Sequence, residues 1–175
     1  IGYYCKGGKS KIPCPQGKFN ELPRQASITA CKDCMEGYFC LGLNNKIPCV
    51  AGRYGNITGQ KDLPSACPNV CEPGKYSTML GEQIESTCVH CPAGSYCTGI
   101  ENTIDHTVQG QTLCPMGKWG NISKATNEIT GCPNNCEVGK YALAAGKTRK
   151  DEACGDQCNA GKFTNNKTDA EGNDA

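Results

Sequence analysis

Sixteen cysteines, two histidines and three N-x-[ST] tripeptides are the residues of this 175-residue chain whose types and spacing could do chemistry. Cysteines at C-x2-C and C-x3-C spacing suit two chemistries: tetrahedral zinc, which takes thiolates and imidazoles, or disulfide cross-linking. Disulfides fit better. The pairs are separated by long loops carrying glycine and an aromatic, the junction length varies between two and three residues, and glycosylation sequons accompany them. His90 and His106 are the only imidazoles, and neither recurs elsewhere. No serine or cysteine stands in a nucleophile context with a histidine and an acid, and disulfide-bonded cysteines are inert as nucleophiles. The acidic tail Asp169–Asp174 lacks a twelve-residue calcium loop. The expectation is a protein with no enzymatic activity, metal or cofactor.

The cysteines follow a register. Cys14, Cys34, Cys49, Cys71, Cys91, Cys114, Cys136 and Cys158 are each followed by glycine three residues on and an aromatic five residues on. The glycines are Gly17, Gly37, Gly52, Gly74, Gly94, Gly117, Gly139 and Gly161, and the rings are Phe19, Phe39, Tyr54, Tyr76, Tyr96, Trp119, Tyr141 and Phe163. Gly2 and Tyr4 form a ninth copy without its opening cysteine. Successive openers lie 20, 15, 22, 20, 23, 22 and 22 residues apart. Such self-similarity marks an array of small units that stack on one another.

The elements that position these residues must be short. Large apolar residues are sparse and no 3.6-residue apolar face persists, so no long helix is expected, and strands reach three to five residues at most. A disulfide closing a loop of about 17 residues returns roughly 3 kcal/mol in the chain-entropy model and replaces part of the missing core. The cysteine density implies oxidised cysteines and a secreted or cell-surface location. Formal charge is +1, which leaves no electrostatic footprint for nucleic acid or an anionic membrane. The sequence contains no signal peptide and no membrane span, and it starts at Ile1; we read it as a mature or processed fragment.

A longer period overlies the blocks. CVAGRYGNITGQKDLPSACPNVCEPGKYS, from Cys49, aligns without a gap on CPMGKWGNISKATNEITGCPNNCEVGKYA, from Cys114, 65 residues later. The chain therefore reads as a partial repeat (1–33), two super-repeats (34–90 and 91–157) and an incomplete block (158–175). The expected fold is a small disulfide-rich repeat protein, an elongated rod of stacked loop or hairpin blocks of about 20 residues with little regular secondary structure.

Within each block the glycine is expected to turn the chain with positive φ, which costs glycine nothing. The ring is expected to lie as core on a neighbouring disulfide or block face; a row of exposed rings binding sugar is the alternative. Lys18, Arg53, Lys75, Lys118, Lys140 and Lys162 stand between glycine and ring. They read as charged tips in solvent above apolar stems, against a basic stripe for acidic polysaccharide. Asn56 and Asn121 head sequons at equivalent super-repeat positions, and Asn166 heads a third. All three are expected to carry N-glycans on surface turns. Asn69 and Asn134, in the rarer N-x-C pattern, are not expected to.

The form C-x2-G-x-[FYW], a closing cysteine some 17 residues later and then C-x2-C resembles the first petal of tumour-necrosis-factor-receptor-like modules. It is closer to the ephrin-receptor-like cysteine-rich repeats of extracellular proteins. The alternation CMEGYFC…PCVAGRYGNITG…CPNVCEPGKYS also resembles repeat arrays in protist surface proteins. Such arrays serve as spacers, receptors and fibres. The resemblance implies that opener pairs with closer: Cys14–Cys31, Cys49–Cys67, Cys71–Cys88, Cys114–Cys132 and Cys136–Cys154. The blocks opening at Cys34 and Cys91 depart from that pattern, with a cysteine six residues on. Cys34–Cys40 and Cys91–Cys97 are the simplest local choices there, although spacing alone proves no connectivity.

Cys158 is left without a closer and Cys5 without an opener. Counted head to tail into a second copy they lie 22 residues apart, the common block spacing. This suggests that the next subunit completes the last block, covalently or by packing, and heterologous contacts of that kind generate filaments. A truncated chain with its partners in further sequence is the alternative. The function expected is an extracellular structural glycoprotein, a rod-like subunit of a filament, coat or appendage whose partner is itself; a ligand-binding receptor-type ectodomain or spacer stalk, binding another extracellular protein, is the alternative.

Overall fold

The structure, a computed structural model, describes residues 1–7, 10–99 and 110–157. The protein is small, disulfide-rich and made mostly of short β-hairpins with few helices. Sixteen strands form eight two-stranded sheets and no larger sheet among the described residues. The chain divides into two compact units, Ile1–Val89 with Gly99–Gly110, and His90–Thr98 with Gln111–Ala175.

The first unit contains β1 (Tyr3–Tyr4) paired with β2 (Ile12–Pro13), and β3 (Lys18–Phe19) with β4 (Lys32–Asp33). Next come β5 (Tyr38–Gly42) with β6 (Asn45–Pro48), β7 (Arg53–Tyr54) with β8 (Asn69–Val70), and β9 (Lys75–Tyr76) with β10 (Val89–His90), whose second residue is counted with the other unit. The second contains β11 (Ser95–Tyr96) with β12 (Thr112–Leu113), β13 (Lys118–Trp119) with β14 (Asn134–Asn135), and β15 (Lys140–Tyr141) with β16 (Asp156–Gln157). Each ladder has one plan: the residues around the register ring pair with those just before the next opener. Except in β5 and β6, strands are two residues long, shorter than the three to five allowed by the sequence. The register glycine turn precedes each strand, and the loop to the closing cysteine follows it too soon for more.

Three one-turn helices, α1 (Leu63–Ala66), α2 (Glu128–Gly131) and α3 (Lys150–Ala153), and two 3-10 turns, Ile28–Ala30 and Glu85–Thr87, occupy the long loops. All five end in the closing cysteine, which is the C-cap in every case: Cys31, Cys67, Cys88, Cys132 and Cys154. Isolated helices this short do not form in water. The disulfide at the C-cap anchors the turn, and a side-chain cap supports it where the sequence supplies one. Asp62 Oδ1 accepts from the Ser65 amide at 2.9 Å and Asn127 Oδ1 from the Thr130 amide at 3.0 Å.

The core lies between blocks. Tyr4 packs on Cys14 and Cys31, Phe19 on Cys34 and Cys40, and Phe39 on Cys49, Ala66 and Cys67. Each of these three rings thus covers the disulfide of the block that follows; in the second unit β11 lies against α2 and β13 against α3, again elements of the block that follows. A block of about 20 residues cannot bury its own ring, so its core is shared with its neighbour.

Candidate functional site

Seven disulfides occupy fourteen cysteines: Cys14–Cys31, Cys34–Cys40, Cys49–Cys67, Cys71–Cys88, Cys91–Cys97, Cys114–Cys132 and Cys136–Cys154. Five close loops of 17 or 18 residues and two close loops of 6, with Cα–Cα separations of 5.4–5.9 Å. The C-x2-C and C-x3-C elements are junctions between cross-links, not thiolate pairs. Cys5 is exposed and, among the described residues, the one cysteine without a disulfide. Cys158 lies outside the described residues.

Cys5 has the register of Cys40 and Cys97. All three follow the block's ring directly, and their amides donate to the next block in the same way: Cys5 to Gln25 O at 2.8 Å, Cys40 to Gln60 O at 2.9 Å, and Cys97 to Ala125 O at 2.9 Å. Cys5 thus holds the place that Cys40 and Cys97 hold as second members of the six-residue staples. Its hairpin, β1 with β2, ends just before the next opener without a closing cysteine, as do β5–β6 and β11–β12.

The register glycines turn with φ between +74° and +85° in all eight copies described with the ninth included, from Gly2 to Gly139. A second left-handed position, unforeseen in the sequence, lies nine or ten residues after the opener. Arg24, Leu43, Gly59, Gly81, Lys124 and Gly146 occupy it with φ of +58° to +75°. Five of them donate their amide to the preceding opener's carbonyl: Leu43 to Cys14 (3.1 Å), Gly59 to Cys34 (2.8 Å), Gly81 to Cys49 (2.9 Å), Lys124 to Cys91 (2.8 Å) and Gly146 to Cys114 (2.8 Å). Glycine ten residues after Cys49, Cys71 and Cys136 was the available signal; Arg24, Leu43 and Lys124 at the other three positions hid it.

The two left-handed positions meet. A Cβ built on Gly17 would overlap the Gly59 carbonyl, one on Gly37 the Gly81 carbonyl, and one on Gly94 would lie 2.5 Å from Gly146 O. In each case the second residue belongs to the block two places on. Three successive blocks are thus interlocked by backbone: opener to neighbour by hydrogen bond, glycine to next-but-one neighbour by close approach.

The basic residues between glycine and ring are mostly neutralised. Lys18 pairs with Asp33, Lys75 with Glu85 at 2.8 Å and Lys118 with Glu128 at 2.6 Å; Lys140 reaches Glu137 at 4.0 Å, and Lys150 pairs with Glu137. The hydrogen bond that Lys75 donates to Glu85 raises the Lys75 pKa, and the one that Glu137 accepts from Lys150 lowers the Glu137 pKa. These pairs leave no unopposed basic stripe among the described residues. Arg53 departs from the solvated reading: it is buried, its Nη1 donates to Cys67 O at 3.2 Å, and its Nε has no partner. Leu63 occupies the place that Glu128 holds 65 residues later. Lys162 lies outside the described residues.

The rings are core rather than an exposed row: Tyr4, Phe19 and Phe39 are buried, Tyr54, Tyr76, Tyr96 and Trp119 are half-buried, and Tyr141 alone is exposed among those described. Burial raises the Tyr54 pKa, assisted by Glu85 and Glu72. Asn56 and Asn121 are exposed in irregular backbone after strands β7 and β13, each followed by two further exposed residues; Asn166 lies outside the described residues. Asn69 and Asn134 sit in strands β8 and β14, with Asn134 Nδ2 3.4 Å from Trp119 O. His90 is an exposed strand residue, and His106 lies outside the described residues. No helix among the described residues is long and apolar enough to cross a membrane. No protein-family model and no curated protein sequence matches the chain.

Proposed function

We propose that this protein is an extracellular structural glycoprotein, a rod-like subunit that assembles with copies of itself into a filament, coat or surface appendage. The observation that carries the reading is the shared core: Tyr4, Phe19 and Phe39 rest on the next block's disulfide, and Gly2, Gly17, Gly37 and Gly94 each lie against backbone of the block two places on. An interior made between blocks propagates along an array and gives it rigidity without a central hydrophobic core. Seven disulfides suit an oxidising, extracellular setting. The opener–closer pairing and the ring-on-disulfide packing support the resemblance to ephrin-receptor-like cysteine-rich repeats.

Asn56 and Asn121, exposed at matching places, carry N-glycans in this reading, as does Asn166. Cys5 stands where Cys40 and Cys97 each pair with an opener, and it pairs with Cys158, an opener, of the adjoining copy. Their two thiols lose two protons and two electrons to an oxidised dithiol–disulfide donor of the same compartment, which leaves reduced.

Negative-stain imaging of unreduced material purified from a glycosylating secretory host tests the function. Fibres or sheets are expected; a monomer at high concentration that captures a distinct extracellular protein would establish the receptor-type reading instead. On non-reducing gels a ladder collapsing to monomer with thiol is expected, and a clean monomer ends the covalent pairing alone. N-glycosidase treatment should reduce the mass in steps, with Asn56→Gln and Asn121→Gln each removing one step.

A further inference from the structure

Three blocks leave the register ring along the same backbone path. After Phe19, Tyr54 and Trp119 come three residues without regular structure, then a bend that ends in a left-handed residue, Arg24, Gly59 or Lys124. The carbonyl directly after the ring is fixed alike in all three: Asn20 O accepts from the Gly2 amide at 2.7 Å, Gly55 O from Gly37 at 2.8 Å and Gly120 O from Gly94 at 2.8 Å. Glu21, Asn56 and Asn121, each two residues after a ring and each exposed, therefore occupy equivalent places.

What lies on the ring differs. Lys46, from β6 of the following block, sits over Phe19 with Nζ 5.1 Å from the ring centroid, and Glu21 holds it there through a 3.2 Å ion pair. The side chain two residues after the ring thus places its partner on the ring's face, and Phe19 is only 6% exposed under that lid. Tyr54 has no such lid. Among the described residues no lysine or arginine lies over its ring, and the block that follows it, opening at Cys71, has the 17-residue staple instead of the six-residue one. Tyr54 is half-buried, and where Glu21 stands in the earlier block it has the sequon asparagine Asn56, followed by exposed Ile57 and Thr58.

We propose that the glycan on Asn56 folds back on Tyr54, its first N-acetylglucosamine lying over the ring as Lys46 lies over Phe19. One face of a pyranose is a set of C–H groups made slightly positive by the neighbouring oxygens, and it suits the negative face of an aromatic ring. The covalent link makes the contact intramolecular, so a weak stacking interaction suffices. Tyr54 is then the docking site of a sugar that the chain itself carries, and the sugar is the lid of the β7–β8 hairpin. Trp119-Gly120-Asn121 repeats the order Tyr54-Gly55-Asn56 65 residues later. This proposal rests on the N-glycosylated reading given above and gives that glycan a structural contact.

The test uses the full chain, unreduced, from a glycosylating secretory host. Hydrogen exchange of the Cys71 amide, which donates to Gly52 O at 2.8 Å, is measured in wild type, Asn56→Gln, Tyr54→Leu and the double variant. Loss of the glycan should speed that exchange about threefold to tenfold while Tyr54 is present, and by less than about twofold once leucine replaces it. Thr58→Ala, which removes the sequon and keeps Asn56, should act like Asn56→Gln, and Tyr54→Phe should keep the glycan effect. In wild type, NMR should show the C–H protons of the first sugar moved upfield by the ring current; this reading and Tyr54→Phe decide the matter if Tyr54→Leu does not fold. Sugar protons at their free positions, or a glycan effect of the same size on leucine, overturn the contact and leave the glycosylated reading standing. Mass spectrometry that finds Asn56 bare removes its glycan from that reading, and this contact with it.

Discussion

The blocks opening at Cys49 and Cys114 are near-copies in sequence and differ in their surroundings. Both run from opener to closer over 18 residues, carry a one-turn helix with a side-chain N-cap, and form the same two-residue hairpin. Gly55 and Gly120, directly after the ring, press on the Ala66 and Gly131 carbonyls in the same way. Yet Val50, Ala51 and Arg53 are buried, whereas Pro115 and Met116 are exposed and Lys118 is half-buried. A block's internal scaffold is therefore set by its own residues and its staple, while burial of its outer strip depends on its neighbours. Stability should accordingly differ most where equivalent residues are covered in one block and bare in another.

The largest effect should come from the staples. Cys49–Cys67 and Cys136–Cys154 close loops of equal length, 18 residues, worth about 3 kcal/mol each by chain entropy. Cys49 and Cys67 are wholly enclosed beneath Phe39, so replacing both with alanine adds a cavity cost of roughly 1–2 kcal/mol. Cys136 is partly exposed and incurs little of that. Urea unfolding of the two double-alanine variants should therefore show the first losing more than the second. Equal losses would mean that covering the staple contributes nothing.

Next come the glycines. Gly37→Ala combines left-handed strain of about 1–2 kcal/mol with overlap on the Gly81 carbonyl, about 1–3 kcal/mol more. Gly139→Ala incurs only the strain, because nothing described lies nearby. Thermal melts of the two variants should separate accordingly, and a Gly139→Ala loss as large as that of Gly37→Ala would show that position 139 is already covered within one chain.

The staples and glycine turns were legible in the sequence because each needs one residue type that nothing else replaces. Cysteine alone cross-links, and glycine alone takes φ near +80° beside a carbonyl without strain. The second left-handed turn was hidden because Arg24, Leu43 and Lys124 accept φ near +60° at a modest cost, so composition did not mark it. The small buried site directly after six of the eight described rings was equally obscure. Asn20, Cys40, Gly55, Ser77, Cys97 and Gly120 share it and only volume in common. Partner acids for the lysines, and their lack at Arg53, depend on which loop residue the helix brings back, which spacing does not reveal.

Arg53 and Lys118 give a smaller contrast. Lys118 pairs with Glu128 at a part-exposed site, and Lys118→Met should cost about 0.2–1 kcal/mol. Arg53 holds a buried charge with one carbonyl acceptor and no acid. Removing it relieves desolvation while losing one hydrogen bond, and apolar replacement of buried charge is often neutral or stabilising by about 1 kcal/mol or more. Arg53→Met should therefore leave the unfolding midpoint unchanged or raise it, the opposite sign to Lys118→Met. A large loss at position 53 would show that the bond to Cys67 O is what holds the end of α1.

The smallest contrast is in the helix caps and needs only a change of pH. The hydrogen bonds from Ser65 lower the Asp62 pKa below its ordinary value. A carboxylate with a depressed folded pKa stabilises the fold above its unfolded pKa of about 3.9, and the contribution disappears as pH falls through the folded value. Asn127, the corresponding cap of α2, does not titrate. Acidification from about pH 6 to about pH 2.5 should therefore loosen α1 through its cap, seen as lower hydrogen-exchange protection of the Cys67 amide, which donates to Leu63 O at 2.9 Å. Asp62→Asn should place α1 on the footing of α2 and abolish that dependence. If the Cys67 amide in Asp62→Asn still loses protection in acid as the wild type does, the cap is not its cause, and the staple alone holds the turn.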